Sequence, residues 1–213
     1  MAKVNGLDIV RIPINGKNTL RVMRNGNELW NWTGLPSGYT KLSYIESTGY
    51  QYLDTEFIPT NKTKIKYDFS FTKTSTQYSG LLVASSSYLA FGIGSKLELY
   101  LGNAVNTSLS PSTNRCNISI DIQEGSFVVD NVTIFSGISF AARGESLPIF
   151  ALRRSSGYTN YAYMKLYSCQ IYDNGNLVRD FVPCKNSSGV CGLYDKVNKK
   201  FYSSASSTPF TGA

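Results

Sequence analysis

The chain of 213 residues contains no histidine. That removes the commonest general base near neutral pH and rules out any mixed Cys/His zinc site. Charge is sparse too: 16% of residues are charged against 42% hydrophobic, a balance too apolar for a disordered chain. No stretch approaches the ~20 apolar residues that a membrane helix requires. Met1-Ala2-Lys3-Val4 leads directly into polar, strand-like sequence instead of a basic segment followed by an apolar run. The expectation is a soluble chain made in a cytoplasm without a leader, unless a leader has been trimmed away. No long window carries apolar residues at helical spacing, so the chain is expected to be all-β.

Cysteine is scarce, with four residues at 116, 169, 184 and 191 in a spacing that matches no zinc pattern. Cys116 and Cys169 sit in alternating apolar runs and read as buried thiols. Cys184 and Cys191 flank the short turn "CKNSSGVC"; a disulfide there fits an oxidising setting, and reduced thiols fit a chain without a secretion signal. Net charge is +7, of which residues 1–33 carry +3 (five basic, two acidic) and the remainder +4. A nucleic-acid surface would show a clustered basic stripe with interleaved aromatics. None stands out, and Arg153-Arg154 is the only adjacent arginine pair.

What the chain does have is Tyr (15), Phe (11) and Gly (18), with many Ser, Thr and Asn, a mixture suited to short strands and tight turns. Asn-Gly recurs at 5–6, 15–16 and 25–26, separated by "LDIVRIPI" and "KNTLRVMR". Asn-Gly favours type I′ hairpin turns, so residues 1–33 read as a small antiparallel meander ending in "ELWNW", with Trp30 and Trp32 on one strand face. Such a meander has too little core to stand alone and must pack on something. "TGLPSGY" (33–39) marks the boundary with a second unit, residues 34–213. There, strand-like runs recur at "KIKYDFSF" (64–71), "GLLVA" (80–84), "KLELYLG" (96–102), "NISIDI" (117–122) and "SLPIFALR". "DIQEGSFVVDNVTIF" reads as a hairpin turning at Glu124-Gly125, and "YAYMKLYSCQIYDNGNLVRDFVPC" as one turning at 173–176. Many short strands in about 180 residues argue for a sandwich or barrel.

"LPSGYTKLSYIESTGYQYLDT" near the start of the second unit and "KLYSCQIYDNGNLVRDFVPCKNSSGVCGLYDKVNKKFYSS" near its end resemble the concanavalin A-like (laminin-G-like) jelly-roll modules of gut Bacteroidales, their bacteriophages and other gut-phage virion proteins. The closing "STPFTGA" also resembles that family, and the meander ending in "NGNELW" is similar to segments placed before such modules in phage structural proteins. The resemblance implies a two-sheet antiparallel jelly-roll sandwich whose first and last strands pair, making the two motifs neighbours in space. Fold alone does not assign function, because this sandwich serves lectins, glycanases and adhesion modules alike.

Three kinds of site deserve weighing. Glycosidases need two carboxyls flanking one bond, and enzymes on this scaffold carry Glu-x-Asp-x-x-Glu on one strand. That motif is absent; "DTE" (54–56) and "DIQE" (121–124) have other spacings. Asp54 and Glu56 would share a face of an alternating strand, but within the framing motif they are expected to face solvent or cap a turn. No enzyme is expected. Calcium needs six or more oxygens close together, and aspartates 68, 121, 130, 173, 180 and 195 are scattered singly beside turn residues; no cofactor is expected, and a calcium site is left unassigned. "RRSSGYTNYAY" (153–163) offers Arg153, Arg154, Tyr158, Asn160 and Tyr161 in an expected loop, a set able to stack on a sugar ring and hydrogen-bond its hydroxyls. The plainer alternative packs Tyr161 and Tyr163 in the sandwich and leaves the arginines solvated.

The resemblance therefore implies a non-enzymatic virion structural protein: a capsid decoration, head-fibre or tail-fibre-like component assembled in the host cytoplasm. Residues 1–33 would anchor it to other virion proteins or trimerise, burying Leu20, Val22, Trp30 and Trp32. Residues 34–213 would be displayed, engaging host surface polysaccharide weakly and multivalently. A homo-oligomer is expected, with no nucleic-acid or membrane partner. The alternative is a carbohydrate-binding or adhesion module of a bacterial cell-surface protein.

Overall fold

The computed structural model describes all residues except 1, 5–6, 15–16, 25–26, 32–33, 75–88, 94–95, 102, 138–143 and 155, and only the backbone for most of 2–31 and 89–106. The described residues form strands and no helix. Strands β1 (Ala2–Val4), β2 (Leu7–Ile14), β3 (Lys17–Arg24) and β4 (Asn27–Asn31) pair in that order as an antiparallel sheet, and each gap between them falls at an Asn-Gly pair. The register sets Ile9 beside Val22 and Val22 beside Trp30, with Leu20 beside Arg11. Among the described residues these strands pair only with one another. Trp32, and with it the shared face expected of Trp30 and Trp32, lies outside the described residues, as does "GLLVA".

The rest of the chain forms β5 (Thr40–Lys41), β6 (Ile45–Thr48), β7 (Leu53–Asp54), β8 (Thr63–Phe71), β9 (Leu89–Ile93), β10 (Leu97–Leu101), β11 (Asn103–Asn106), β12 (Cys116–Asp121), β13 (Ser126–Val129) and β14 (Val132–Phe135). Then come β15 (Pro148–Ile149), β16 (Leu152–Arg154), β17 (Gly157–Thr159), β18 (Tyr163–Asp173), β19 (Asn176–Lys185), β20 (Cys191–Asp195), β21 (Lys200–Tyr202) and β22 (Thr211–Gly212). Eleven of these strands build one antiparallel sheet, ordered β14-β13-β12-β8-β18-β19-β20-β21, with β6 beside the first half of β18, β22 beyond β6, and β5 on β19. Smaller sheets are β11-β10-β9, β15-β7 and β16-β17.

The long strand β18 shows how sequence sets the packing. Strict alternation would place Met164, Leu166, Ser168 and Gln170 on one face. The apolar residues instead run Met164, Leu166, Cys169, Ile171, and all four are buried. The pairing with β8 jumps from Leu166–Phe69 to Ser168–Asp68, leaving Tyr167 as a bulge that re-phases the strand. One extra residue thus keeps both halves of the strand turned to the core. The core joins these residues to Ile65, Phe69, Phe127 and Phe181 of the same sheet and to Leu53, Leu99 and Ile149 of the smaller ones. Full burial of each large side chain contributes about 1.5–3 kcal/mol.

Turn chemistry explains one agreement and one omission. Asn174-Gly175 joins β18 to β19 with φ of +48° and +78°, as expected from Asp-Asn-Gly-Asn. Asp130-Asn131 makes a second such turn, φ +46° and +67°, inside a segment that reads as a single hairpin from its Glu-Gly pair. "SLPIFALR" is likewise not one strand: it splits into β15 and β16 at Phe150, whose φ is +70°. Residues 147–152 are buried throughout, so a continuous apolar run concealed the break.

A second, smaller cluster on the other face of β19–β21 packs Leu35, Cys184 and Tyr194 with Tyr39, Val182 and Phe201. Cys191 packs instead against the main core. The ladder explains the separation: Cys184 lies opposite Gly192 and Cys191 opposite Lys185, so the two thiols emerge on opposite faces. All four cysteines are free, and burial pushes the Cys184 thiol up to about 12. Air-oxidised protein is expected to yield no Cys184–Cys191 linkage on non-reducing peptide mapping; finding one would mean that β19 and β20 are paired in another register.

Candidate functional site

Around β7 the sequence alternates cleanly: Gln51, Leu53 and Thr55 are buried, while Tyr52 and Asp54 are half-exposed. β7 pairs with β15, so Asp54 sits opposite Pro148 and close to the β16–β17 hairpin. There Asp54 collects the site. Its Oδ2 accepts from Ser146 Oγ at 2.7 Å, Arg153 Nη1 at 3.0 Å and Tyr158 Oη at 2.8 Å. Arg153 also donates to Ser146 Oγ. Asp54 Oδ1 accepts the Glu56 N–H at 2.8 Å, an Asx turn that ends the strand. Tyr52 stacks on Tyr158 with centroids 4.2 Å apart and leans on Tyr161 at 5.8 Å. Tyr161 Oη donates to the Tyr158 carbonyl at 2.9 Å.

Three of the five residues expected at a sugar site, Arg153, Tyr158 and Tyr161, therefore meet. Arg154 is exposed at the hairpin end opposite Gly157. Asn160 takes a left-handed backbone with φ +51°, a conformation asparagine tolerates better than most residues. The segment expected to be a loop is in fact a hairpin, because Leu152, Arg153 and Arg154 pair with Thr159, Tyr158 and Gly157. Reading the motif by itself misses Tyr52, Asp54 and Ser146. The first two were within reach, as alternate residues of "YQYLDT"; Ser146 stands in a polar stretch with no period to single it out.

Asp54 and Glu56 do not stay on one strand face. β7 ends at Asp54, and Glu56 adopts φ +56°. Glu56 turns to Lys200, whose Nζ lies 2.5 and 2.6 Å from its two oxygens, with Tyr202 Oη at 3.4 Å. Each acid thus faces its own cation. The Asp54 cluster is a set of mutually satisfied groups, able to present half-buried tyrosine edges and a fixed guanidinium to a polar ligand.

Burial, then the hydrogen bond to Asp54, pushes the Tyr158 phenol up to about 12. A folded-state value above the ordinary one near 10 means the folded protein holds the proton more tightly. That stabilisation is complete below pH 10 and is lost as pH rises towards 12. Tyr158→Phe should flatten this part of the stability–pH curve and remove one late-ionising phenol from the tyrosinate absorbance titration. An unchanged late phase would show that Asp54 does not hold Tyr158.

Among the described residues, no group of three or more His, Cys, Asp or Glu side chains is placed to hold a metal ion, and no helix is long and apolar enough to cross a membrane. In comparisons with known proteins, no family model, no curated protein and no solved structure matches this chain.

Proposed function

We propose that the chain is a non-enzymatic structural component of a bacteriophage virion, a capsid decoration or a head- or tail-fibre part, built as a concanavalin A-like jelly roll on a small β-meander. The observation that carries this reading is the pairing of β22 with β6, where Thr211 lies beside Glu46 and Gly212 beside Ile45. It brings together the start and end of the second unit, where the residues resembling phage-associated modules lie. Further support comes from the four-stranded sheet of residues 2–31, which among the described residues pairs only with itself and suits an attachment role for Leu20, Val22 and Trp30. Displayed in many copies on a particle, even weak glycan sites add up to strong attachment.

The second reading is an adhesion or carbohydrate-binding module of a bacterial surface protein, favoured by the convergence of Tyr52, Tyr158, Tyr161 and Arg153. Antibody raised to residues 34–213 and imaged by electron microscopy on native culture separates the two. Label at fixed positions on capsids or tails is the expected result. Label on cell envelopes with bare particles would overturn the virion reading in favour of the surface module.

A further inference from the structure

Over β8, β12 and β18 the outer face of the large sheet carries polar side chains, and two depressions there share one lysine, Lys66. The first, about 340 Å³, is bordered by Lys62, Lys64, Lys66, Asp121, Glu124 and Tyr172. The second, about 250 Å³, continues from Lys66 past Asp68, Asn117, Ser119, Ser168 and Gln170. The alternation of β8 produces this face: Ile65, Tyr67 and Phe69 turn to the core, leaving Lys64, Lys66 and Asp68 outward.

The side chains here are held in place by one another. Tyr172 Oη donates to Gln170 Oε1 at 3.0 Å, and Gln170 Nε2 donates to Asp180 Oδ1 at 3.2 Å. Lys66 Nζ stands 5.3 Å from the centre of the Tyr172 ring. Lys64 is paired with Asp121 at 3.1 Å. Lys62 and Lys66, both exposed, have no carboxylate within ion-pair distance among the described residues. Two ammonium groups without an ion-pair partner thus bracket the Lys64–Asp121 pair and Tyr172, with Ser119 and Gln170 beside Lys66, Asn117 and Ser168 one step beyond it, and Glu124 bordering the same depression.

We infer that this face binds an acidic polysaccharide, with Lys62 and Lys66 meeting carboxylate or sulfate groups while Asn117, Ser119, Ser168 and Gln170 meet hydroxyls. The inference rests on the glycan-engaging part of the proposed function and supplies its ligand class. Lys62 stands in the turn before β8 and Lys66 within that strand, on either side of Lys64, a placement suited to charges on different sugars of one chain. A protein partner would want an apolar centre, whereas the outward side chains of β8 here are Lys64, Lys66 and Asp68. A nucleic acid would bring a dense row of phosphates, one charge per ~1.7 Å of duplex, against the carboxylates of Asp68, Asp121 and Glu124.

The test uses the full chain immobilised on a biosensor, with polygalacturonate as the acidic polymer, dextran as the neutral one and duplex DNA as the competing polyanion. Polygalacturonate should bind in a salt-sensitive manner and dextran should not. The Lys62→Ser/Lys66→Ser double variant should bind about tenfold more weakly, the size expected for losing two exposed charge contacts. Lys185→Ser, which removes an exposed lysine bordering neither depression, should leave this affinity unchanged. Both single lysine variants, each expected to lose about threefold, provide the answer should the double variant fold poorly. Equal affinity in wild type and lysine variants would overturn the site while leaving glycan engagement standing. No binding to the acidic polymer, or tighter binding to DNA, would overturn the ligand class. Neither result bears on where antibody labels the particle, so the virion reading stands or falls separately.

Discussion

Replacing Asp195 by alanine is expected to destabilise the protein by about 3–5 kcal/mol, the usual effect of stranding one partner of a buried ion pair. Asp195 is fully buried. Its Oδ1 accepts the backbone N–H groups of Asp180 and Val197, each at 3.0 Å, and its Oδ2 accepts from Asn198 Nδ2 at 2.9 Å and lies 3.5 Å from Arg179 Nε. Arg179 in turn donates to the Thr55 carbonyl at 3.1 Å, and Thr55 is fastened to Leu147. One carboxylate therefore closes the β20–β21 turn and, through Arg179, ties β19 to the segment that carries Asp54. In a chain of this size the loss corresponds to a fall in Tm of roughly 10 °C or more. Asp195→Asn keeps acceptor geometry without the charge and should lose less. An alanine variant within about 1 kcal/mol of wild type in urea unfolding would mean that Arg179 finds solvent or another acceptor.

Several features of this architecture are legible in single residues of the sequence. The all-β class follows from turn residues and alternation, and the Asn174-Gly175 turn follows from the two residues that adopt its positive φ values. The re-phasing of β18 is also written there, in the step from Leu166 to Cys169, but reading it as a bulge requires knowing that both halves face one core. Phe150 is different. Nothing about a phenylalanine within an apolar run announces a left-handed backbone; what holds it there is the packing of Phe150 against Phe210 and the Ala162 N–H donated to its carbonyl at 2.7 Å. Asp195 reads as ordinary turn chemistry in "YDKVNKK"; its burial depends on Arg179 arriving from a neighbouring strand, a pairing that no local pattern encodes.

The same contrast separates the two candidate binding surfaces. The hairpin set of Arg153, Tyr158 and Tyr161 was visible because its residues are close in sequence, yet its chemistry is governed by Asp54, about a hundred residues away. The sheet face draws on β8, β12 and β18, and its lysines are spaced at alternate positions that read locally as an ordinary solvated strand edge. In the hairpin the donors and acceptors are engaged with each other. On the sheet face Lys62 and Lys66 flank a lysine that already has its carboxylate, which is why the face carries the ligand inference and the hairpin the tests of rigidity.

The last strand gives the second large effect. Phe210→Ala should cost about 3–5 kcal/mol, as for other large aromatic side chains removed from a core. Phe210 is 3% exposed, with its ring 5.1 Å from that of Phe150, and its backbone bridges to Cys191. On either side of it, Gln51 Nε2 donates to the Pro209 carbonyl at 3.0 Å, and the Ser43 and Tyr44 N–H groups donate to the Ala213 carbonyl. Gly212 is required there, since a Cβ would come within 2.7 Å of the Tyr44 carbonyl. Truncating Phe210 therefore removes both a core ring and the partner of a strained residue, and should loosen β22 from β6 along with it. Hydrogen exchange should quicken at Ser43 and Tyr44 in the alanine variant, while Phe210→Leu, which refills most of the volume, should retain protection and lose about 1 kcal/mol. Alanine protein with wild-type stability and unchanged exchange at these amides would show that β22 is an appendage, and the closure of the C-terminus onto β6 would have to be abandoned.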